Sequence, residues 1–88
     1  MKRGRLEMLR DYMAGIRQHQ VHTRALGSAG IAGNSSIAFR DYCLRHQLME
    51  VASREADEIR GGKPTDHYRL THEGSQLLLL LEDLPEVK

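Results

Sequence analysis

The 88-residue chain holds one cysteine, Cys43, which excludes an internal disulfide framework and fits a reducing cytoplasm. No apolar run approaches the ~18 residues a membrane helix needs. The start M-K-R-G-R-L-E-M has no apolar stretch of the signal-peptide kind, so a cytoplasmic location away from membranes is expected. A phosphate-binding P-loop, a glycine-rich dinucleotide turn and a Ser-His-Asp context are all missing. Gly27-Ser28-Ala29-Gly30 has the letters of a nucleophile elbow but follows a helix rather than a strand. An enzyme is not expected, and no cofactor is implied. Charge of one sign is also scarce: the net charge is only +1, so composition does not announce a nucleic-acid binder.

What is present is a 40% apolar, 28% charged composition, ordinary for one soluble globular domain of 1–88. A chain this short buries a modest core, so a partner subunit would help it. The charges are unevenly placed. Lys2, Arg3, Arg5, Arg10, Arg17 and Arg24 stand against Glu7 and Asp11 in the first 24 residues. Glu82, Asp83 and Glu86 stand against Lys88 in the last ten. Residues 1–4 form a basic arm, and 85–88 a tail.

Leu6, Leu9, Met13 and Ile16 fall at i, i+3, i+7 and i+10, with Tyr12 beside them, which predicts a helix over about 3–19. Gly15 inside it costs ~1 kcal/mol relative to alanine, so packing must hold it. Thr23 is a candidate N-cap for a short helix to about residue 29 with Leu26 inward. Gly30, Ala32 and Gly33 mark a turn pinned by Ile31. A third helix, capped by Asn34 or Ser35, runs to about residue 46. Phe39, Tyr42, Cys43 and His46 share its inner face, with Ser36 and Arg40 on the open side. Two helices joined by a glycine-bearing turn match a helix-turn-helix.

Leu48-Met49-Glu50-Val51-Ala52-Ser53-Arg54 reads as a strand, and His67-Tyr68-Arg69-Leu70-Thr71 as its partner. About a dozen residues with Gly61, Gly62 and Pro64 lie between. A leucine-rich helix over 71–84 follows, with Thr71 as its cap and Pro85 as its stop. The fold class is thus mainly α with a small antiparallel β-hairpin, in the order α-α-α-β-β-α of a winged helix-turn-helix.

Y-R-L-T-H-E-G-S-Q-L-L carries a sharper echo. Tyr68, Leu70, Thr71 and Gly74 match the Y-x-L-T-x-x-G with which winged-helix regulators of MarR-like, PadR-like and small archaeal types leave the wing. Thr23-Arg24, Ile31, Phe39 and Leu48-Met49 resemble core positions of the small archaeal members, over about residues 3–84. The resemblance implies a DNA-binding transcriptional regulator that dimerises through its last helix. The long wing loop and the short last helix depart from that pattern, so any dimer contact must be compact.

In that mode the third helix enters the major groove, with Asn34, Ser35, Ser36 and Arg40 at base edges. Thr23 and Arg24 offer a helix start to a phosphate, and Arg60 and Lys63 flank the wing tip. Capping alone is an equal reading for Asn34 and Ser35. A solvated loop is the competing one for Arg60 and Lys63. Five leucines in a row, Leu77 to Leu81, exceed what one core-facing stripe needs. Leu77, Leu78, Leu80, Leu81 and Leu84 are candidates for a homodimer interface. Cys43 and His46 at i, i+3 also allow an ArsR-like metal-responsive reading, although one cysteine makes core packing the better account and no metal is expected. A third reading is a winged helix that binds protein rather than DNA.

Overall fold

The computed structural model describes residues 4–31, 35–57, 61 and 63–83. The elements are α1 (Arg5–His19), α2 (His22–Ala29), α3 (Ser35–Arg45), β1 (Met49–Asp57), β2 (Lys63–Leu70) and α4 (His72–Asp83). The order α-α-α-β-β-α, with one antiparallel hairpin, is the winged-helix layout expected from the sequence. Among the described residues, no helix is long and apolar enough to cross a membrane.

Helix α1 is the spine. Leu9, Tyr12, Met13 and Ile16 are buried, and the last three have no exposed surface. Leu6 departs from its expected inward position: it is 52% exposed. It sits in the first turn, where α3 stands opposite across an open groove. Helix α1 stops at Gln20, which takes the left-handed conformation (φ 63°) and donates its amide to the Ile16 carbonyl.

Helix α2 crosses α1 at Gly15. A Cβ there would lie 2.8 Å from both Ala25 Cα and Ser28 Oγ, so the helices meet backbone to backbone. The small residues Ala25 and Ala29, not Leu26, therefore fill the contact, and Leu26 is only half-buried. The cap also differs from expectation. The helix begins at His22 with Val21 as N-cap, which makes Thr23 its second residue. Burial of Val21 and a 2.8 Å hydrogen bond between the Tyr12 hydroxyl and His22 Nδ1 fix that earlier start. At the other end Gly30 (φ 68°) donates to Gly27, and Ile31 to Leu26, closing a Schellman turn with Ile31 buried as its pin.

Helix α3 packs on β1, and its buried line is narrower than four inward residues. Cys43 is fully buried, while Phe39 and Leu44 are partly covered against the core. Tyr42 and His46 are exposed and stack on each other, with ring centroids 4.4 Å apart. The helix ends in a second Schellman turn: left-handed Gln47 (φ 57°) donates to Leu44, and Leu48 to Cys43.

The hairpin is longer, and its loop shorter, than the sequence suggests. Pairing runs from Met49–Leu70 out to Asp57–Lys63, with a bulge between Val51 and Ser53. Cross-strand ion pairs Glu50–Arg69 (2.6 Å) and Arg54–Asp66 (3.7 Å) join directly opposed positions, so charge replaces the apolar alternation a strand normally shows. Leu48, Met49 and Tyr68 anchor its root in the core. The Tyr68 amide donates to the Gln20 carbonyl (2.7 Å), which ties β2 to the α1–α2 corner.

Thr71 joins three elements. Its hydroxyl accepts from the Gly74 amide (3.0 Å), capping α4, and donates to the Gln47 carbonyl at the end of α3. Its own amide donates to the Leu48 carbonyl (3.0 Å). Gly74 is then pressed against that carbonyl: a Cβ would stand 1.8 Å from the Leu48 oxygen. Leu78 and Leu81 seat α4 in the core, and Arg17 on α1 grips Glu82 through two hydrogen bonds of 3.0–3.1 Å.

Candidate nucleic-acid interface

The start of α2, the middle of α3 and the polar half of the hairpin enclose a cleft of about 200 Å³. His22 and Thr23 come from α2, Arg40 from α3, and Arg54, Thr65 and Asp66 from the strands. Val21 and Tyr68 complete the lining, and fully buried Tyr12 backs His22. It packs edge-on to His22 (5.7 Å between centroids) and tilted against Phe39 (6.1 Å). Burial, with the Cys43 and Tyr68 groups nearby, pushes the Tyr12 hydroxyl above its ordinary pKa, so it is a neutral donor and acceptor. Burial first, and then the Arg40 charge, hold the His22 imidazole below its ordinary value; Asp41 works weakly the other way. His22 is thus neutral at pH 7, and the positive charge of the cleft comes from its two arginines.

The outer side of α3 is not covered by the described residues. Ile37, Ala38, Asp41 and Arg45 are exposed there, and Ile37 is 54% so. Ser35 and Ser36 open the helix. Arg40 is not on this open side: it lines the cleft, its side chain 34% exposed and 3.6 Å from Asp41. Thr23 and Arg24 are exposed in the first turn of α2. Lys63 opens β2 opposite Asp57, next to left-handed Gly61 (φ 70°). Asn34 and Arg60 lie outside the described residues, as do Lys2 and Arg3 of the basic arm. Four polar cleft residues are not among the sequence candidates: His22, Arg54, Thr65 and Asp66. The strand register brings the last three in, and only the extent of the hairpin could have signalled it.

The leucine run divides differently from expectation. Leu78 (1% exposed) and Leu81 (6%) belong to the chain's own core and are closed to a partner, while Leu77 is half-buried against that core. The exposed apolar face consists of Leu79 (56%) and Leu80 (65%), rimmed by Gln76, Glu82 and Asp83. A helical turn of 3.6 residues explains the split: Leu78 and Leu81, three apart, share the inward stripe, and the two leucines between them must point out. Leu84 lies outside the described residues.

Cys43 and His46 do not converge. The thiol is buried, and desolvation pushes its pKa up to about 12, while His46 is exposed. Among the described residues, no group of three His, Cys, Asp or Glu side chains is placed to hold a metal ion. Comparison with family models, curated proteins and solved structures finds no match.

Proposed function

We propose that the chain binds double-stranded DNA and acts as a transcriptional regulator. The start of α3 enters the major groove, the hairpin reaches the adjacent backbone or minor groove, and the active form is a homodimer joined through α4. The observation that carries this reading is the placement of α3. Its outer side is open among the described residues, Tyr12 of α1 braces it through Phe39, and a paired hairpin stands beside it. Ser35 and Ser36 meet base edges permissively, while Thr23 and Arg24 present the start of α2 to a phosphate. With few base-reading side chains, sequence preference is modest and the backbone supplies most of the affinity.

The test is fluorescence anisotropy of a labelled duplex titrated with the full chain over a range of salt. Binding should weaken linearly in log–log form, by ~0.9 in slope per phosphate neutralised. No association at micromolar protein in low salt overturns the reading. A second reading, a protein-binding winged helix, is favoured by one feature. An apolar groove between the start of α1 and α3 is lined by Leu6, Met8, Phe39 and Tyr42, of which Leu6 and Tyr42 are large exposed side chains. It takes precedence if DNA binding fails.

A further inference from the structure

We propose that the cleft between the start of α2, Arg40 of α3 and the polar half of the hairpin is a seat for a tetrahedral oxyanion, a phosphate group. Three independent features of the cleft converge on it. No side chain caps α2, and the amides of a first helical turn have no partner within the helix. His22 and Thr23 of that turn line the cleft, and the positive end of the helix dipole lies there. Thr65, only 9% exposed, lines the same space, and its hydroxyl is withdrawn from solvent with no hydrogen-bond partner. A buried hydroxyl in that state is uncommon in folded proteins and marks a place for a missing acceptor or donor.

Arg40 and Arg54 supply the charge. Their carboxylate neighbours stand off, Asp41 at 3.6 Å from Arg40 and Asp66 at 3.7 Å from Arg54. Both distances exceed the ~2.9 Å of a charge-assisted hydrogen bond, so each guanidinium keeps donors for a better acceptor. Asp66 is the opposing group, since it lines the cleft and must yield Arg54 to the anion. Asp41 beside Arg40 is the second carboxylate, so the two pairs balance in formal charge and the helix start tips the cleft toward an anion. Donors from two helices and a strand surround a space of about 200 Å³, which holds several groups the size of a water at ~30 Å³ each. That arrangement suits an anion with oxygens in several directions better than a planar carboxylate.

The anion has two possible sources. One is a phosphodiester of the DNA backbone, which rests on the reading above. The other is free phosphate or a small phosphorylated ligand, which does not. On the first, Arg40 positions the duplex and does not read a base.

The test follows amide resonances of the isotope-labelled full chain during titration with inorganic phosphate, exchanged against chloride at constant ionic strength. The seat predicts saturable shifts centred on His22, Thr23 and Thr65. Thr65→Val, which keeps the shape and removes the hydroxyl, and Arg40→Gln should each weaken binding about tenfold. Arg69→Gln, on the exposed Glu50 pair, should not. Absence of saturable shifts, or equal affinity in Thr65→Val, overturns the seat. A duplex arm then separates the sources. Shifts of the same amides, with Arg40→Gln weakening every sequence alike, identify the phosphodiester. Phosphate binding without duplex binding keeps the seat and removes the DNA reading. Duplex binding without any response to phosphate at these amides removes the seat alone.

Discussion

At position 74 the chain has room for a hydrogen and nothing larger. The helix that begins at His72 turns its third residue onto the Leu48 carbonyl, and any Cβ would penetrate that oxygen. Gly74→Ala should therefore destabilise the protein by about 3 kcal/mol, the upper end of overpacking costs, measured by urea unfolding. Gly15→Ala meets a softer obstacle, 2.8 Å from Ala25 Cα and Ser28 Oγ. A helix-propensity gain of ~1 kcal/mol opposes the clash, so its net loss should be the smaller of the two. The sequence marks Gly15 as costly in a helix and Gly74 only as a position of the Y-x-L-T-x-x-G match; what each one touches depends on residues outside its own helix, which no local pattern encodes. His22 gives a pH signature. Its folded-state pKa lies below the ordinary ~6.5, because burial and Arg40 disfavour the charged ring. The unfolded chain then takes up the proton first, so stability is full above that value and falls as pH drops through it towards the lowered folded value. Thermal melts across this range should show the melting temperature declining on acidification, and His22→Asn should flatten that component.

Among the elements, the helices were legible because burial imposes a period on them. Leu9, Met13 and Ile16 record the covered side of α1, and Leu78 and Leu81 that of α4. The outer half of the hairpin was not legible. S-R-E-A-D and K-P-T-D carry no apolar alternation, and the directly opposed charges Arg54 and Asp66 pair across the strands there. The inner face of α3 was overestimated: a short helix on a small domain is covered along one line, through Cys43, and Tyr42 and His46 fall outside it. Thr71 was legible as a cap but not as a junction. Thr71→Ala should cost about 2 kcal/mol, a cap of ~1 kcal/mol plus the lost bond to the Gln47 carbonyl. Thr71→Ser should recover most of it in the same unfolding assay.

For the molecule as a whole, the outward leucines are the surface on which the proposed dimer depends. Leu79 and Leu80 are more than half exposed on a helix whose other apolar residues are already covered. A two-fold contact would place this patch against its own copy, removing apolar surface worth ~25 cal/mol per Å². Leu80→Glu should leave the fold intact, because the side chain makes no core contact, and should shift a dimer to a monomer by light scattering. A wild-type chain that is monomeric at every concentration rules out the α4 contact. Glu82 beside the patch is engaged by Arg17, whose guanidinium holds the Glu82 carboxyl below its ordinary pKa. The pair is exposed and is worth at most ~1 kcal/mol, but it keeps one carboxylate on the rim neutralised.

The junction at Thr71 has a geometric consequence for such a pair of subunits. The tail end of α3, the root of the ribbon and the head of α4 are pinned together within a few bonds. On the proposed reading, little slack would separate α4, the contact between subunits, from the helix and hairpin offered to a duplex. The spacing of two such duplex-facing units would then be set by how the two α4 helices meet, and a side chain altered on α4 should change which half-site separations are accepted while leaving every reading residue untouched.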